Sequence, residues 1–93
     1  MDREEILEKA KAIVTGEREN AYGSPEDNFT TIAELWSMFL GVRIDSEDVA
    51  TMMILLKVAR IRGGQAKADN WIDIAGYAAC GGEIQEKRRE SHG

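Results

Sequence analysis

The chain has 93 residues, a length that fits a single domain, and 43% of its residues are hydrophobic, as is usual for globular proteins. Its net charge of -5 argues against a general nucleic-acid binder, which normally presents a basic face. There is one cysteine, and no apolar run approaches the roughly 18 residues of a membrane span. The composition therefore favours a cytoplasmic protein with no intrachain disulfide and no membrane partner.

The first half of the chain predicts two amphipathic helices. Residues 2–15 carry apolar side chains at three- and four-residue steps, and Gly16 ends that pattern. A polar loop follows, after which Ser24 and Pro25 supply a cap and a first helical residue for the second helix. That helix has a wide apolar face and ends at Gly41. The apolar positions are Phe29, Ile32, Ala33, Trp36, Phe39 and Leu40.

The second half of the chain predicts two more helices. The acidic run from Asp45 opens the third, which ends at residues 63–64. The fourth begins near Ala66 and reaches at least Cys80; the glycines at 81–82 either interrupt it or lie within a helix that continues to about residue 89. No segment alternates like a strand, so we expect one all-α domain over residues 1–93, with a core over about 2–80 and a polar, frayed tail over about 87–93.

The third helix is apolar on nearly every side, which predicts that it is the central and most buried of the four. A chain this short buries only a limited fraction of its surface. The second and third helices together carry more apolar side chains than a thin domain covers. We therefore expect a homo-oligomer, most simply a dimer, to complete the fold.

Four charged residues mark the facing stripes of the last two helices. Lys57 and Arg60 share a stripe of the third helix, while Asp69 and Asp73 share a stripe of the fourth with Tyr77. Because the linker between the helices is short, they should pack as an antiparallel hairpin. Arg60 is then expected near Asp69, and Lys57 near Asp73.

Two interpretations of this charged cluster remain open at this point. It is either a buried structural ion network or a site for a phosphate and a metal ion. The preceding polar loop adds Arg18 as a candidate phosphate contact, and Tyr22 as a candidate for stacking on a base. Trp36 and Trp71 are predicted to lie in the core.

Several blocks of the sequence resemble a family of small uncharacterised phage and prophage proteins. The resemblance covers about residues 17 to 80 and implies that the compartment is the bacterial host cytosol. The blocks are Tyr22-Gly23, Asn28-Phe29, residues 32–36, residues 48–60 and residues 69–77. More remotely, the chain is similar to the all-α nucleoside triphosphate pyrophosphatases of the MazG and dimeric dUTPase type.

In that enzyme type, two acidic pairs on neighbouring helices hold magnesium, which bridges the substrate phosphates. Asp69 and Asp73 resemble the second pair, although they are spaced by four residues and not three. The first pair is missing, and the resemblance leaves Asp48 and Glu34 as substitutes. It thus implies a Mg²⁺ site built from Asp69, Asp73, Asp48 and Glu34, with an incomplete acidic constellation.

Three functions follow from these patterns. The first is a magnesium-dependent nucleotide pyrophosphohydrolase, in which Lys57 and Arg60 steady the triphosphate. The second is an anti-defence protein that sequesters a nucleotide-derived immune signal without cleaving it. In that case Lys57, Arg60 and Arg18 bind the phosphate, and Tyr22 or Tyr77 contacts the base. The third is a helical protein-interaction module without a small ligand.

Overall fold

A computed structural model describes residues 1–16, 24–65 and 67–92 of the chain. Within these ranges the structure is all-helical, with no strand. In chain order the helices are α1 (Arg3–Thr15), α2 (Pro25–Leu40), α3 (Ser46–Arg62) and α4 (Ala68–His92). The predicted all-α class and the four helices are therefore confirmed.

Side chains placed just before the helices explain where they begin. Asp2 and Ser24 each accept a hydrogen bond from a backbone N–H in the first turn of α1 and α2. Asp45 and Asp48 form a reciprocal capping box at the start of α3, each carboxylate accepting from the other residue's backbone N–H. At the other end of α2, Gly41 takes a left-handed conformation with φ of 71°, which favours glycine. Local chemistry thus explains where α1, α2 and α3 begin and where α2 ends.

The fourth helix is the centre of the structure. It packs against each of the other three helices, most extensively against α3. The prediction that α3 is central and buried on nearly every side needs correction, because Leu55, Leu56 and Val58 are exposed on its outer surface. The core lies where α2, α3 and α4 meet. Its buried residues are Phe29, Ala33, Val49, Ala50, Cys80 and Ile84.

Two glycines allow neighbouring helices to approach α4 closely. A Cβ placed at Gly76 would lie 3.2 Å from Val14 of α1, and one placed at Gly81 would lie 3.1 Å from the Cβ of Ala50 of α3. Of the two alternatives at residues 81–82, the structure shows the continuous helix, which runs on to His92. The tail from residue 87, which was expected to be frayed, is therefore helical as far as His92.

Large apolar side chains remain exposed in this single chain. Trp71 is 56% exposed, so its predicted place in the core is wrong, whereas Trp36 packs against the core as predicted. Among the described residues, no helix has the length and apolar character needed to cross a membrane. The exposed side chains concentrate on the second and third helices. On or next to these two helices they are Leu35, Met38, Phe39 and Leu40 of α2, Val42 of the following loop, and Leu55, Leu56 and Val58 of α3; elsewhere they are Met1, Leu7, Ile13 and Trp71.

Candidate functional site: the charged hairpin and the α2 apolar face

One ion pair joins the two helices of the α3–α4 hairpin. The Nζ atom of Lys57 lies 2.9 Å from Oδ2 of Asp73, and the two side chains are 11% and 32% exposed. The predicted contact between these residues is confirmed. Because burial of an unpaired ammonium group is costly, Asp73 satisfies the charge that α3 carries into the interface.

The other predicted pair lies towards the turn that connects the two helices. Arg60 is in the last turns of α3 and Asp69 in the first turn of α4, and both are exposed. Within the described ranges neither residue forms an ion pair. Only half of the predicted four-residue network is therefore formed by contacts among these side chains.

Tyr77 belongs to the helix-packing interface. Its ring lies 6.2 Å, centroid to centroid, from that of Phe29 on α2, at an interplanar angle of 38°. Tyr77 is half-buried and packs against the core cluster. This contact gives the ring a structural role, and its assignment to a nucleotide base stays a prediction.

The four acids predicted as magnesium ligands have separate surroundings. Asp73 pairs with Lys57, Asp48 takes part in the capping box of α3, and Glu34 and Asp69 are exposed on α2 and α4. Within the described ranges no three acidic, histidine or cysteine side chains come together as a metal site would require. The described residues alone therefore form no such cluster for a magnesium ion, and dependence on magnesium stays a prediction.

Arg18 and Tyr22, the predicted loop contacts to a phosphorylated ligand, lie outside the described residues.

Two polar features were missed by the sequence analysis. Asn70 is buried and its Nδ2 donates to the backbone carbonyl of Gln65 at 2.8 Å, closing the turn between α3 and α4. At the opposite end of the same hairpin, the Nη1 atom of Arg88 lies 3.3 Å from Oδ2 of Asp45 and 3.8 Å from Oε1 of Glu47. The acidic start of α3 was visible in the sequence, but its basic partner was placed in the expected frayed tail.

The capping box and this arginine change the acidity of Asp45. The Asp48 backbone N–H, which donates to the Asp45 carboxylate, lowers the pKa of Asp45 below its usual value. Partial burial raises that pKa, and the positive charge and hydrogen bond of Arg88 lower it further. Asp45 therefore stays charged in mildly acidic solution and holds the start of α3 against the last turns of α4.

A second candidate site is apolar. Met38 is 76% exposed and Phe39 is 87% exposed, and Leu35 precedes them by one turn on the same side of α2. Val42, which follows the helix, is exposed as well. We refer to Leu35, Met38, Phe39 and Val42 as the α2 apolar face. Phe39 shares the predicted apolar periodicity of α2 with Phe29 and Ala33, but it lies outside the core to which those two residues belong.

The chain is similar in sequence to proteins encoded by phages. It is 45% identical to the gene 55 protein of Mycobacterium phage D29 over 84 residues, which is 90% of this chain and 56% of the relative. The gene 55 protein of Mycobacterium phage L5 is 46% identical over 74 residues, which is 78% of this chain and 47% of the relative. The chain thus spans about half the length of these curated relatives.

No solved structure gives a significant match. The predicted resemblance to small phage proteins is confirmed, whereas neither the family description nor the relatives' names refer to a pyrophosphatase. The model of the family described as a domain of unknown function, DUF6378, matches residues 5–85. The chain therefore belongs to the DUF6378 family.

Proposed function

We propose that this protein acts as a self-associating helical interaction module. The observation that carries the proposal is the exposure of Met38 and Phe39, two large apolar side chains on one side of α2. Full burial of one such side chain stabilises a protein by about 1.5–3 kcal/mol. Groups of exposed apolar side chains mark interaction sites more often than chance. Association through α2 also agrees with the expectation that a short chain completes its fold by oligomerisation.

The contacts of the charged residues in the α3–α4 hairpin also favour the interaction module over the two nucleotide functions. Lys57 and Asp73, two of the groups expected to hold a phosphate and a metal ion, already satisfy each other. Asp48 is similarly committed to the capping box. A side chain that already has a protein partner gains less from a ligand, because the existing contact must be shared or exchanged, and this weakens ligand binding.

Light scattering after size-exclusion chromatography tests the proposal. The wild-type protein is expected to elute as a dimer or larger assembly at micromolar concentration. Phe39→Glu places a charge on the α2 apolar face and should give a folded monomer, with helical content checked by circular dichroism. Leu7→Glu changes another exposed leucine, on α1, and serves as the matched control that keeps the assembly. A monomeric wild-type protein at these concentrations contradicts the proposal.

Binding of a nucleotide-type ligand is the second candidate. The observation favouring it is that Arg60 and Asp69 are exposed and form no ion pair within the described ranges, one turn beyond the Lys57–Asp73 pair. An arginine with free donors suits a phosphate group. Under this candidate Arg18 and Tyr22 contribute from the sequence before α2, and the protein either hydrolyses a triphosphate with magnesium or sequesters the nucleotide intact.

Calorimetry with mono-, di-, tri- and cyclic nucleotides, with and without magnesium, tests this candidate. Arg60→Ala should weaken binding, whereas Arg62→Ala, which removes another exposed arginine from the end of α3, is the matched control. Release of pyrophosphate with added magnesium identifies hydrolysis, and recovery of intact ligand after heat denaturation identifies sequestration. The absence of any heat of binding across the panel removes both nucleotide functions.

A further inference from the structure

The α2 apolar face is flanked by one charge of each sign. Glu34 and Arg43 are the only charged residues between positions 28 and 44. Both are exposed, and neither forms an ion pair with any residue in the described part of the chain. Met38 and Phe39, the two most exposed members of the face, stand midway between these charges in the sequence. The face and its flanking charges therefore follow the order acid, apolar, base along α2 and the loop after it.

The loop after α2 holds the basic end of this pattern in place. The hydroxyl of Ser37 accepts from the backbone N–H of Ile44 at 2.8 Å and donates to its carbonyl oxygen at 3.0 Å. Gly41 turns the chain at the helix end, and its N–H donates to the Ser37 carbonyl. Arg43 lies between Gly41 and Ile44, which are both hydrogen-bonded to Ser37. Its backbone is thus fixed beside the last turn of α2, whereas Glu34 lies near the middle of the helix.

We propose that a second copy of this chain covers the α2 apolar face in a two-fold symmetric, antiparallel pairing of α2 helices. Met38 and Phe39 then meet across the symmetry axis, and Glu34 faces Arg43 of the partner subunit at both ends. In a symmetric dimer a surface must be complementary to itself, so an apolar centre with opposite charges on its two sides meets that requirement. This inference rests on the proposed function and specifies its interface.

Charge reversal tests the pairing. Glu34→Arg and Arg43→Glu each place like charges against each other at both ends of the dimer. Each variant alone is expected to dissociate with a Kd raised by about tenfold or more, measured by sedimentation at low ionic strength. An equimolar mixture of the two variants restores both attractions, and native mass spectrometry should show the heterodimer. The double variant Glu34→Arg/Arg43→Glu should dimerise like the wild-type protein.

The outcomes separate this pairing from the broader proposal. If the wild-type protein dimerises and Phe39→Glu dissociates it, but the charge reversals have no effect, the α2 apolar face is the interface and the antiparallel pairing is overturned. Dissociation of both single variants without rescue in the mixture overturns it too. A monomeric wild-type protein overturns the pairing together with the self-association function. Circular dichroism of each variant confirms that loss of the dimer is not loss of folding.

Discussion

Lys57 shows how a single residue determines the character of the α3–α4 interface. Its charged end group lies in the interface between α3 and α4, where it reaches Asp73 at 2.9 Å. A buried ion pair often contributes little net stability, yet removal of one partner is costly, because the remaining charge stays buried. The pair is therefore expected to determine how the two helices align.

The substitution Asp73→Asn tests this role. Since Asp73 is about a third exposed, the expected loss in the free energy of unfolding is about 1–3 kcal/mol, between the values for exposed and buried pairs. Asp69→Asn, one turn earlier and exposed, is the matched control and should change stability by less than about 0.5 kcal/mol. Thermal and urea unfolding measure both values.

A further variant checks the physical cause. If the uncompensated charge of Lys57 is responsible, Lys57→Met in the Asp73→Asn background should recover much of the loss, because methionine fills similar space without a charge. An Asp73→Asn protein that is as stable as the wild type, but that loses a nucleotide-binding signal shown by the parent, would assign the pair to ligand binding.

Asp45 combines a helix cap with an ion pair, and its lowered pKa predicts a pH dependence. Asp45→Ala removes the cap and should cost about 1 kcal/mol at neutral pH, whereas Asp45→Asn keeps an acceptor for the Asp48 N–H and should cost less. The folded pKa lies below the unfolded value of about 3.9, so the charge stabilises the fold above that pH. That stability is lost as the pH falls through the lowered pKa.

Unfolding measured from pH 7 to pH 3 tests this dependence. The advantage of the wild-type protein over Asp45→Asn should shrink below about pH 4, because both proteins then carry a neutral group at this position. The groups facing Asp45 are Arg88 from α4 and, on α3 itself, Glu47 and Asp48. An advantage that stays constant over this range would show that the charge of Asp45 has no part in stability.

At the level of the helices, the small residues of α4 determine how closely its neighbours approach. A Cβ added at Gly81 would meet the Cβ of Ala50 on α3. Each Cβ is bonded directly to the backbone, so neither could rotate away from the other. Gly82, the next residue, faces open space. Both are helical and differ mainly in what lies opposite them. This makes the two glycines a matched pair for separating helix propensity from packing.

Alanine substitutions at these glycines should have opposite effects. Gly82→Ala is expected to stabilise the protein by about 0.5–1 kcal/mol, because alanine lowers the conformational entropy of the unfolded chain. Gly81→Ala gains the same term but forces α3 and α4 apart, and overpacking of this kind costs about 1–3 kcal/mol. Denaturant unfolding of the two variants gives the values. Equal stabilisation by both would show that the close approach of Ala50 is not needed.

For the whole molecule, the exposed apolar side chains predict that stability depends on protein concentration. A folded state that assembles is favoured by mass action, whereas the unfolded chain does not assemble. The Tm of the wild-type protein should therefore rise with concentration, and the Tm of Phe39→Glu should not. Differential scanning calorimetry over a hundredfold range of concentration measures both. A wild-type Tm that does not change with concentration would agree only with a monomer.

The sequence by itself determined the helices of this protein. Capping residues such as Ser24 and Asp45, and the glycine at position 41, act on backbone groups within a few residues of themselves, so their effects were predictable without tertiary contacts. The Lys57–Asp73 contact was also predictable, because a short linker forces two adjacent helices to pack as a hairpin. The resemblance to a phage protein family was also visible in the sequence, in blocks such as residues 48–60 and 69–77.

Only the tertiary structure decided which apolar faces are covered. Apolar periodicity shows that a helix has a face to bury, but it does not show which neighbour is available to bury it. Trp71 was therefore assigned to the core although it is exposed, and α3 was given the central place that α4 occupies. Arg88 was missed for the same reason, since its partners lie 43 and 41 positions earlier in the chain and meet it only after α3 and α4 have packed.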